Sequence, residues 1–446
     1  MENTTTYESV ALPGQGNLFT SWTVHGWALG MTLIAELIGP ISIPLGSTKV
    51  VLLPLVWGML LGMFAGIIAN KLPQGLGVRR AEQQKAAAII QVAVLIFVAD
   101  LALLVGAALP KLIQSGWALV FQELGHFLGT IVVALPLALL LGIKREAVGA
   151  TYSVGREPNL AIIGEKYGLS SAEGRGVLAE YVTGTVVGAI FISVLASLIA
   201  STGLFNPLAL AMGAGVGSGS MMAAATGGIV AQSPPGMAHD IAAFAAASNL
   251  ITTTIGTYFT LFISLPLANF IYRTLEPMIG RKTVAGQPDA SLSVEDAKEI
   301  EIGWGTMVGL LAIVALIALV AGNWITYKTA PQAALAGTII IVAVAAAGAT
   351  LARFLPVKIP AVFWATLLGM ALTAPFWPGA HAMTVLTGKM HFLALATVVL
   401  TYAGMSLAKD IKLFKALGWR IVLVSLVANA GTFIFASLIA EFTLRR

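Results

Sequence analysis

The 446-residue sequence contains no cysteine, and charged residues make up only 10% of it. The lack of cysteine excludes disulfide bonds, thiolate metal sites and thiol catalysis. Soluble domains are typically about 25% charged, so the composition excludes an ordinary soluble domain. Its five histidines are too scattered along the sequence to indicate a metal-binding motif. Apolar residues dominate instead, at 58% of the chain, with a mean hydropathy of +0.90.

Apolar runs long enough to cross a hydrocarbon core about 30 Å thick as a helix recur along the chain. We therefore predict an all-α polytopic membrane bundle with about eleven spanning helices and one broken or re-entrant element. The spans are predicted at 25–45, 48–70, 86–109, 124–143, 180–201, 241–271, 303–322, 332–352, 359–378, 391–408 and 420–441.

The basic residues are distributed unevenly between the predicted loops. Most of the 25 Lys and Arg residues fall in alternate loops, which predicts that these loops and the N-terminus are cytoplasmic. The net charge of +5 therefore indicates topology, not a nucleic-acid partner. The first 21 residues lack the basic-then-apolar order of a signal peptide. We expect a multi-pass protein of the inner (plasma) membrane that is surrounded by lipid, and a homodimer is one assembly this architecture allows.

The chain is predicted to form a single domain over 1–446, with a polar cytoplasmic linker at 279–302 between two membrane halves. Residues 52–66 resemble residues 358–374, since both contain a proline, an aromatic residue and then Leu-Leu-Gly-Met. The predicted topology orients the two copies oppositely, and inverted repeats are typical of secondary transporters. The alternative is that two Leu/Gly/Met-rich helices look alike by composition.

The stretch GAGVGSGSMMAAATGG, residues 213–228, holds two interleaved Gly-x-x-x-Gly pairs. Each glycine costs about 1 kcal/mol relative to alanine inside a helix. This pattern predicts a broken or re-entrant element whose exposed backbone and hydroxyl groups bind a small polar solute. Tight helix packing is the alternative. The candidate solute-binding residues here are Gly217, Ser218, Gly219, Ser220 and Thr226.

A second unusual stretch is GATYSVGREPNLAIIGEKYG, residues 149–168, in which Pro158 is incompatible with an uninterrupted helix. If it dips into the membrane it would meet the glycine stretch near the midplane. The candidate solute-binding residues are Arg156, Glu157 and Asn159, because a guanidinium can grip a carboxylate with its planar fork. The alternative is an ordinary basic cytoplasmic loop whose charges pair with nearby glutamates.

Ionisable residues inside apolar spans are rare and costly, so Glu36 and Asp100 are candidates for proton or sodium coupling. The alternative is a buried carboxyl group that serves packing. Weaker candidates for the same cavity are Asn249 and the run Thr252–Thr254 in the span 241–271, since threonine hydroxyls also bond to their own helix. We predict no cofactor other than Na⁺ as a coupling ion. The main competing hypothesis is an intramembrane hydrolase that uses Ser218 and His239, or, less favoured, a channel.

At TYSVGREPNLAIIGEKYG and GVGSGSMMAAATGG the chain resembles a bacterial family of multi-pass membrane proteins known only as a domain of unknown function. More loosely, it is similar to the superfamily of glutamate/sodium symporters, bile-acid/sodium symporters and cation/proton antiporters. That resemblance implies inverted repeats whose broken elements meet at the midplane, with Gly217, Ser218, Gly219 and Ser220 in one of them. The sequence lacks the close Asp-Asp or Asn-Asp pair of many antiporters. We therefore expect a secondary transporter, not an enzyme, that moves a small polar solute such as an organic anion or an amino acid.

Overall fold

The computed structural model describes residues 18–45, 48–73, 75–154, 157–168, 171–281, 302–356, 359–409, 411 and 418–444. We number its α-helices α1 to α21 in chain order. They are Trp22–Ile38, Pro54–Ile68, Arg80–Ala107, Leu109–Gln114, Ala118–Gly129, Leu135–Leu140, Glu146–Thr151, Glu157–Lys166, Ala172–Thr183, Ala189–Ser201, Pro207–Ala214, Gly219–Val230, Ala238–Ile251, Thr257–Phe259, Leu265–Ile279, Trp304–Ile317, Pro331–Phe354, Ala361–Thr373, Ala380–Thr387, Phe392–Leu407 and Trp419–Leu444.

Wider π-helical turns join several of these helices into longer rods. They lie at Thr130–Ala134, Gly184–Gly188, Thr252–Gly256, Thr260–Ser264 and Ala318–Asn323. Single 3₁₀ turns occur at Leu18–Thr20, Ala69–Lys71 and Pro235–Met237. Two antiparallel strands, β1 (Ile41–Leu45) and β2 (Thr48–Leu52), form a hairpin in which Ile41 is opposite Leu52. The Val51 amide of β2 donates to Ser197 Oγ, which holds the hairpin against α10.

The fold is helical and membrane-like, but the structure does not support eleven spans. Six apolar helices of the described residues are long enough to cross a membrane, or seven if the pair α19–α20, bent by 53°, is one span. The six are Arg80–Ala107, Ala118–Leu140, Ala172–Ser201, Trp304–Asn323, Pro331–Phe354 and Trp419–Leu444.

The remaining predicted spans fail because hydropathy does not show whether an apolar run is one straight helix. The runs 25–45 and 48–70 each include one strand of the hairpin, so their helices are 17 and 15 residues long. The run 359–378 contains a helix of 13 residues. The run 391–408 belongs to the bent pair, and no helix within 241–271 is among the six.

The internal repeat and the linker stay predictions. The two similar stretches form α2, which begins at Pro54, and α18, which follows Pro360. They pack on different partners, because Gly62 of α2 lies against α20 and Gly369 of α18 lies against α3. Of the linker predicted at 279–302, residues 282–301 lie outside the described residues.

The apolar side chains form two separate hydrophobic clusters. The larger cluster is built mainly on α1–α3, α10–α13, α16–α18 and α20, with further residues from α4, α5, α9 and the second half of α21, and α3, α12, α13 and α20 are its most buried helices. The smaller cluster is built on α6–α9, α15 and the first half of α21, so α9 and α21 contribute to both clusters. Tyr152 belongs to the smaller cluster and Val154 to the larger one. The segment that joins α7 to α8 therefore lies at the boundary between the two clusters.

A close crossing of α7 and α9 positions this boundary segment. A Cβ added at Gly149 would overlap the backbone oxygen of Glu173, and one added at Gly176 would overlap that of Glu146. The same two glutamates accept reciprocal ion pairs, Arg145 to Glu173 and Arg175 to Glu146, both at 2.6 Å. Small residues let the backbones touch, as is common between membrane helices. The charges of this region thus hold two helices together.

We predict that Gly149→Ala destabilises the protein by about 1–3 kcal/mol, because the added methyl group must push α7 away from α9. The measurement is the thermal unfolding of the purified protein in detergent. Gly30→Ala is the matched control, since no atom lies within 4 Å of a Cβ at Gly30 in α1. A Gly149→Ala variant as stable as the control would mean that the two backbones are not in contact.

Candidate functional site

The first helix break lies between α7, which ends at Thr151, and α8, which begins at Glu157. Its described residues are 152–154, and an asparagine holds them. Asn159 Nδ2 donates to the Val154 carbonyl, and the Tyr152 hydroxyl donates to the Asn159 carbonyl at 2.7 Å. Asn159 is only 3% exposed. The Val154 carbonyl of this break therefore bonds to a protein group in place of water.

The second break lies in the glycine stretch, between α11, which ends at Ala214, and α12, which begins at Gly219. Asn249 Nδ2 of α13 donates to two carbonyls of the break, Gly215 at 2.7 Å and Gly217 at 2.9 Å. A Cβ at Gly215 would overlap the Ala245 carbonyl oxygen, so only glycine permits this approach. The broken element predicted from the glycines is present.

A third break separates α19 from α20, at residues 388–391, and the sequence did not indicate it. The residue that satisfies this break is again an asparagine, Asn323. Its Nδ2 donates to the Lys389 carbonyl at 3.0 Å, and its Oδ1 accepts from the His391 amide at 2.9 Å. Each of the three breaks is thus held by one buried asparagine, which can donate and accept at the same time.

The first two breaks meet at a small cavity, which we call the inter-break cavity. Its volume is about 10 Å³, roughly the space of one water molecule. Two of its polar oxygens, Asn429 Oδ1 and Thr432 Oγ1 of α21, have no hydrogen-bond partner among the described residues. The cavity is lined by Val154, Ile192, Gly213, Ala214, Gly217, Met221, Asn429, Thr432 and Phe433. The predicted meeting of the two unusual stretches is therefore present at Val154 and Gly217.

A buried polar chain, which we call the Glu123 chain, leads away from the cavity. Ser153 Oγ lies 3.3 Å from His126 Nε2, and His126 Nδ1 lies 3.3 Å from Glu123 Oε2. Gln122 Nε2 donates to Glu123 Oε1 at 2.8 Å, and the Thr252 hydroxyl donates to the same oxygen. All five side chains are at most 3% exposed. This is the densest set of buried side-chain hydrogen bonds near the cavity.

Sequence reasoning missed the Glu123 chain. Glu123 precedes the predicted span 124–143 by one residue and so was not considered an intramembrane carboxyl group. The signal that would have found it is the spacing of Glu123 and His126, since residues three apart share a helix face. Ser153 lies inside the unusual stretch 149–168, whose strongest local signal is the charged motif that follows it.

The residues predicted in the glycine stretch have different roles. Gly217 lines the cavity. Ser218 caps α12 by accepting from the Met221 amide, and its Oγ lies 3.3 Å from Ser220 Oγ. Gly219 packs on Val94 of α3. Thr226 is buried two turns further along α12, and its hydroxyl has no partner among the described residues.

The residues predicted in the REPN motif are only partly described. Asn159 holds the first break. Arg156 lies outside the described residues, and for Glu157 the structure describes only the backbone, at the first position of α8. Pro158 follows at the next position, where a helix tolerates proline because the amide has no partner there.

The two predicted coupling carboxyl groups do not line the inter-break cavity. Glu36 of α1 is 4% exposed and accepts a hydrogen bond from the Thr326 hydroxyl, while its other oxygen has no partner in the described residues. Asp100 of α3 is 2% exposed, and its Oδ2 is likewise without a partner there. Each lies on a helix outside the cavity wall.

The structure does not bring Ser218 and His239 together. Asn249 contacts the second break, and His239 precedes it on α13 by ten residues, about 15 Å along a helix. His239 is also exposed at the start of that helix. Among the described residues no three His, Asp or Glu side chains cluster closely enough to hold a metal ion.

The chain belongs to the family described as "protein of unknown function (DUF3100)", whose model matches residues 33–274. The match covers α2–α14 entirely and therefore includes the first two breaks and the whole Glu123 chain. Asn429 and Thr432 lie beyond it. No curated protein and no solved structure matches the chain.

We predict that Asn249→Ala speeds amide hydrogen exchange at residues 213–221, because two buried carbonyls lose their donor, at a cost of about 1–3 kcal/mol each. The measurement is hydrogen–deuterium exchange followed by mass spectrometry. Asn323→Ala is the matched control and should speed exchange at 388–394 only. If the rate of exchange at 213–221 is the same in Asn249→Ala, in Asn323→Ala and in the unchanged protein, Asn249 does not hold the second break.

Proposed function

We propose that the protein is a secondary active transporter of a small polar solute, coupled to Na⁺ or H⁺, and that the inter-break cavity is the core of its solute site. We place it in the inner membrane with a cytoplasmic N-terminus, on the basis of the charge distribution between its loops. The proposal extends the loose resemblance to symporter and antiporter superfamilies, which share broken elements at a central site.

The observation that carries the proposal is the meeting of two helix breaks inside an apolar bundle. A broken helix exposes backbone amides and carbonyls that cost several kcal/mol each in hydrocarbon. Such backbone is tolerated at membrane depth where it is buried in protein or lines a polar cavity. Here Gly217 of one break and Val154 of the other face the same cavity. Transporters use this arrangement because unwound backbone supplies ready ligands for solutes and ions.

The cavity wall supports a small polar solute. Asn429 Oδ1 and Thr432 Oγ1 are buried oxygens with no hydrogen-bond partner among the described residues, and buried polar groups normally have one. A solute amine, hydroxyl or cation would satisfy both. We assign Arg156, two residues after Val154 in the chain, to the carboxylate of an organic anion or an amino acid.

The present cavity volume, about 10 Å³, fits a closed state that opens during transport. The cavity wall is formed by members of the larger cluster, such as Val154, and the chain enters the smaller cluster at Tyr152, two residues earlier. Movement of one cluster against the other would enlarge the cavity toward one face at a time. This motion is how inverted-repeat transporters alternate access, and we extend it to the predicted repeats at 52–66 and 358–374.

A second candidate function is hydrolysis, and a specific observation favours it. Ser153, His126 and Glu123 are in the order of a nucleophile, a base and an orienting carboxylate, with 3.3 Å between successive partners. This trio replaces the Ser218–His239 pair considered from the sequence. A hydrolase needs room for an acyl group beside the serine, and the neighbouring cavity holds about one water. We therefore favour transport.

The transport proposal predicts that a cysteine at position 221 reacts from both sides of the membrane. The protein has no cysteine, so Met221→Cys creates a single thiol on the cavity wall. Oriented vesicles are treated with a membrane-impermeant thiol reagent from one side or the other. Thr202→Cys, in the exposed turn after α10, is the control and should react from one side only. Reaction of the Met221→Cys thiol from neither side would contradict alternating access.

A thermal-shift screen of organic anions, amino acids and sodium would identify a solute. Binding of that solute should depend on Thr432. We expect Thr432→Val to weaken its binding about tenfold, equal to about 1.4 kcal/mol, because one buried hydroxyl is lost. Thr338→Val is the matched control, since that hydroxyl bonds only to its own helix at Ala334. Equal affinity in both variants would place the solute elsewhere.

A further inference from the structure

We propose that the outer face of α15 binds one anionic phospholipid, whose phosphate lies at Arg273 and Arg281 and whose acyl chain lies along Phe262 and Phe270. None of these residues lines the inter-break cavity. The inference therefore goes beyond the proposed transport function and does not depend on it.

The apolar half of the site is an exposed stripe along α14, α15 and the π-helical turn between them. Tyr258, Phe262 and Phe270 are 65%, 69% and 67% exposed, and Pro266 is exposed as well. These four residues follow one another at intervals of four, so they share one side of the rod. A continuous exposed apolar surface marks a site of membrane interaction.

The polar half of the site is a pair of exposed arginines at the end of the stripe. Arg273 is three residues after Phe270 on α15, so the two side chains share a face of the helix. Arg281 follows the end of α15 by two residues, and its backbone amide donates to the Leu139 carbonyl of α6 at 3.2 Å. The helix rises about 9 Å from Arg273 to its end at Ile279. Two long side chains can therefore reach one headgroup.

These arginines are available because acidic side chains around them have other partners. Three ion pairs of 2.6 Å hold glutamates of this region: Lys144–Glu276, Arg145–Glu173 and Arg175–Glu146. Neither Arg273 nor Arg281 forms an ion pair within the described part of the chain. Lys166, exposed at the end of α8, has no acidic partner there either and lies 5.9 Å from the centre of the Tyr167 ring. The described side chains at this end of the bundle thus carry surplus positive charge.

The inner face of α15 is fixed against its neighbours, which turns Arg273 outward. Asn269 Oδ1 accepts from Arg145 at 2.6 Å, and Asn269 Nδ2 donates to the Tyr167 hydroxyl at 3.1 Å. The Arg145 guanidinium also lies 5.2 Å from the centre of the Tyr272 ring. Because these contacts set the rotation of α15 about its axis, the outer face is ordered before a lipid binds. Less entropy is then lost on binding.

The two halves together select an anionic phospholipid. A guanidinium group binds phosphate oxygens through two parallel hydrogen bonds, and basic clusters beside membrane helices attract anionic headgroups. A zwitterionic phospholipid carries its own cation, which offsets this attraction. A free phosphate ion lacks the acyl chain that would cover Phe262 and Phe270.

The test is native mass spectrometry of the purified full-length protein titrated with phosphatidylglycerol. We expect Arg273→Gln and Arg281→Gln each to weaken phosphatidylglycerol binding about fivefold, the effect of one charge beside an anionic lipid. Arg353→Gln is the matched control and should bind this lipid as the unchanged protein does. Arg353 is also exposed and precedes the exposed Phe354, but its helix α17 belongs to the larger cluster and α15 to the smaller one.

The apolar half of the site is tested by Phe270→Ala, which should weaken phosphatidylglycerol binding while every charge stays in place. Phe354→Ala is its control, since that side chain is 72% exposed and Phe270 is 67% exposed. Phosphatidylcholine should bind more weakly than phosphatidylglycerol, with no further loss in the arginine variants. Inorganic phosphate should not displace phosphatidylglycerol.

Three results would overturn the proposal. Equal losses in Arg353→Gln and Arg273→Gln would show a general attraction between the basic surface and anions. Displacement of phosphatidylglycerol by inorganic phosphate would indicate a site for a soluble anion. Undiminished binding when Arg273→Gln and Arg281→Gln are combined, in a protein whose thermal melting shows that it is folded, would place the lipid elsewhere.

A measurement on the unchanged protein decides the question if a variant does not fold. Phosphatidylglycerol should slow amide hydrogen exchange at 265–281 and leave exchange at 331–354 unaffected. Equal slowing of both ranges, or of neither, would reject the site. Thiol labelling of Met221→Cys reports on transport alone, so either proposal can fail while the other holds.

Discussion

The structure depends on one constraint, which is that backbone polar groups buried in an apolar bundle need partners within the protein. Three helices are broken inside this chain, and each break leaves amides and carbonyls without helical partners. Asn159, Asn249 and Asn323 satisfy them, and each is at most 8% exposed. An asparagine suits this task because its amide can both donate and accept over a short reach. Each break is therefore held at its described residues by one buried amide side chain.

Small residues supply the second condition for this architecture. Membrane helices gain little from burying apolar surface in one another, so close packing must hold them. Gly149 and Gly176 bring α7 and α9 into backbone contact, and Gly129 and Gly431 do the same for α5 and α21. These two crossings hold in place the helices that flank the first break and carry the Glu123 chain. The glycine content of the chain, 47 residues, thus serves packing as much as flexibility.

The polar residues around the inter-break cavity come from two parts of the chain, one inside the region that matches the family and one outside it. Both breaks at the cavity and the Glu123 chain lie within residues 33–274, whereas α21 supplies Asn429 and Thr432 from the far end of the chain. The cavity is complete only when the last helix packs against the matched region. The proposed transport therefore needs the full chain.

Composition and local pattern alone determined that this is a helical membrane protein and that residues 213–228 break a helix. A meeting of this stretch with 149–168 followed from the sequence only on the condition that 149–168 dips into the membrane. These properties depend on hydrophobicity, glycine and proline, which act locally. Tertiary structure decided the number of spans, because hydropathy cannot distinguish a straight helix from a hairpin or a bent pair. It also decided the partners of the buried polar groups: Glu123, His126 and Ser153 come together only because α5 and the first break pack side by side. Hydrogen bonds between distant segments leave no local pattern in the sequence.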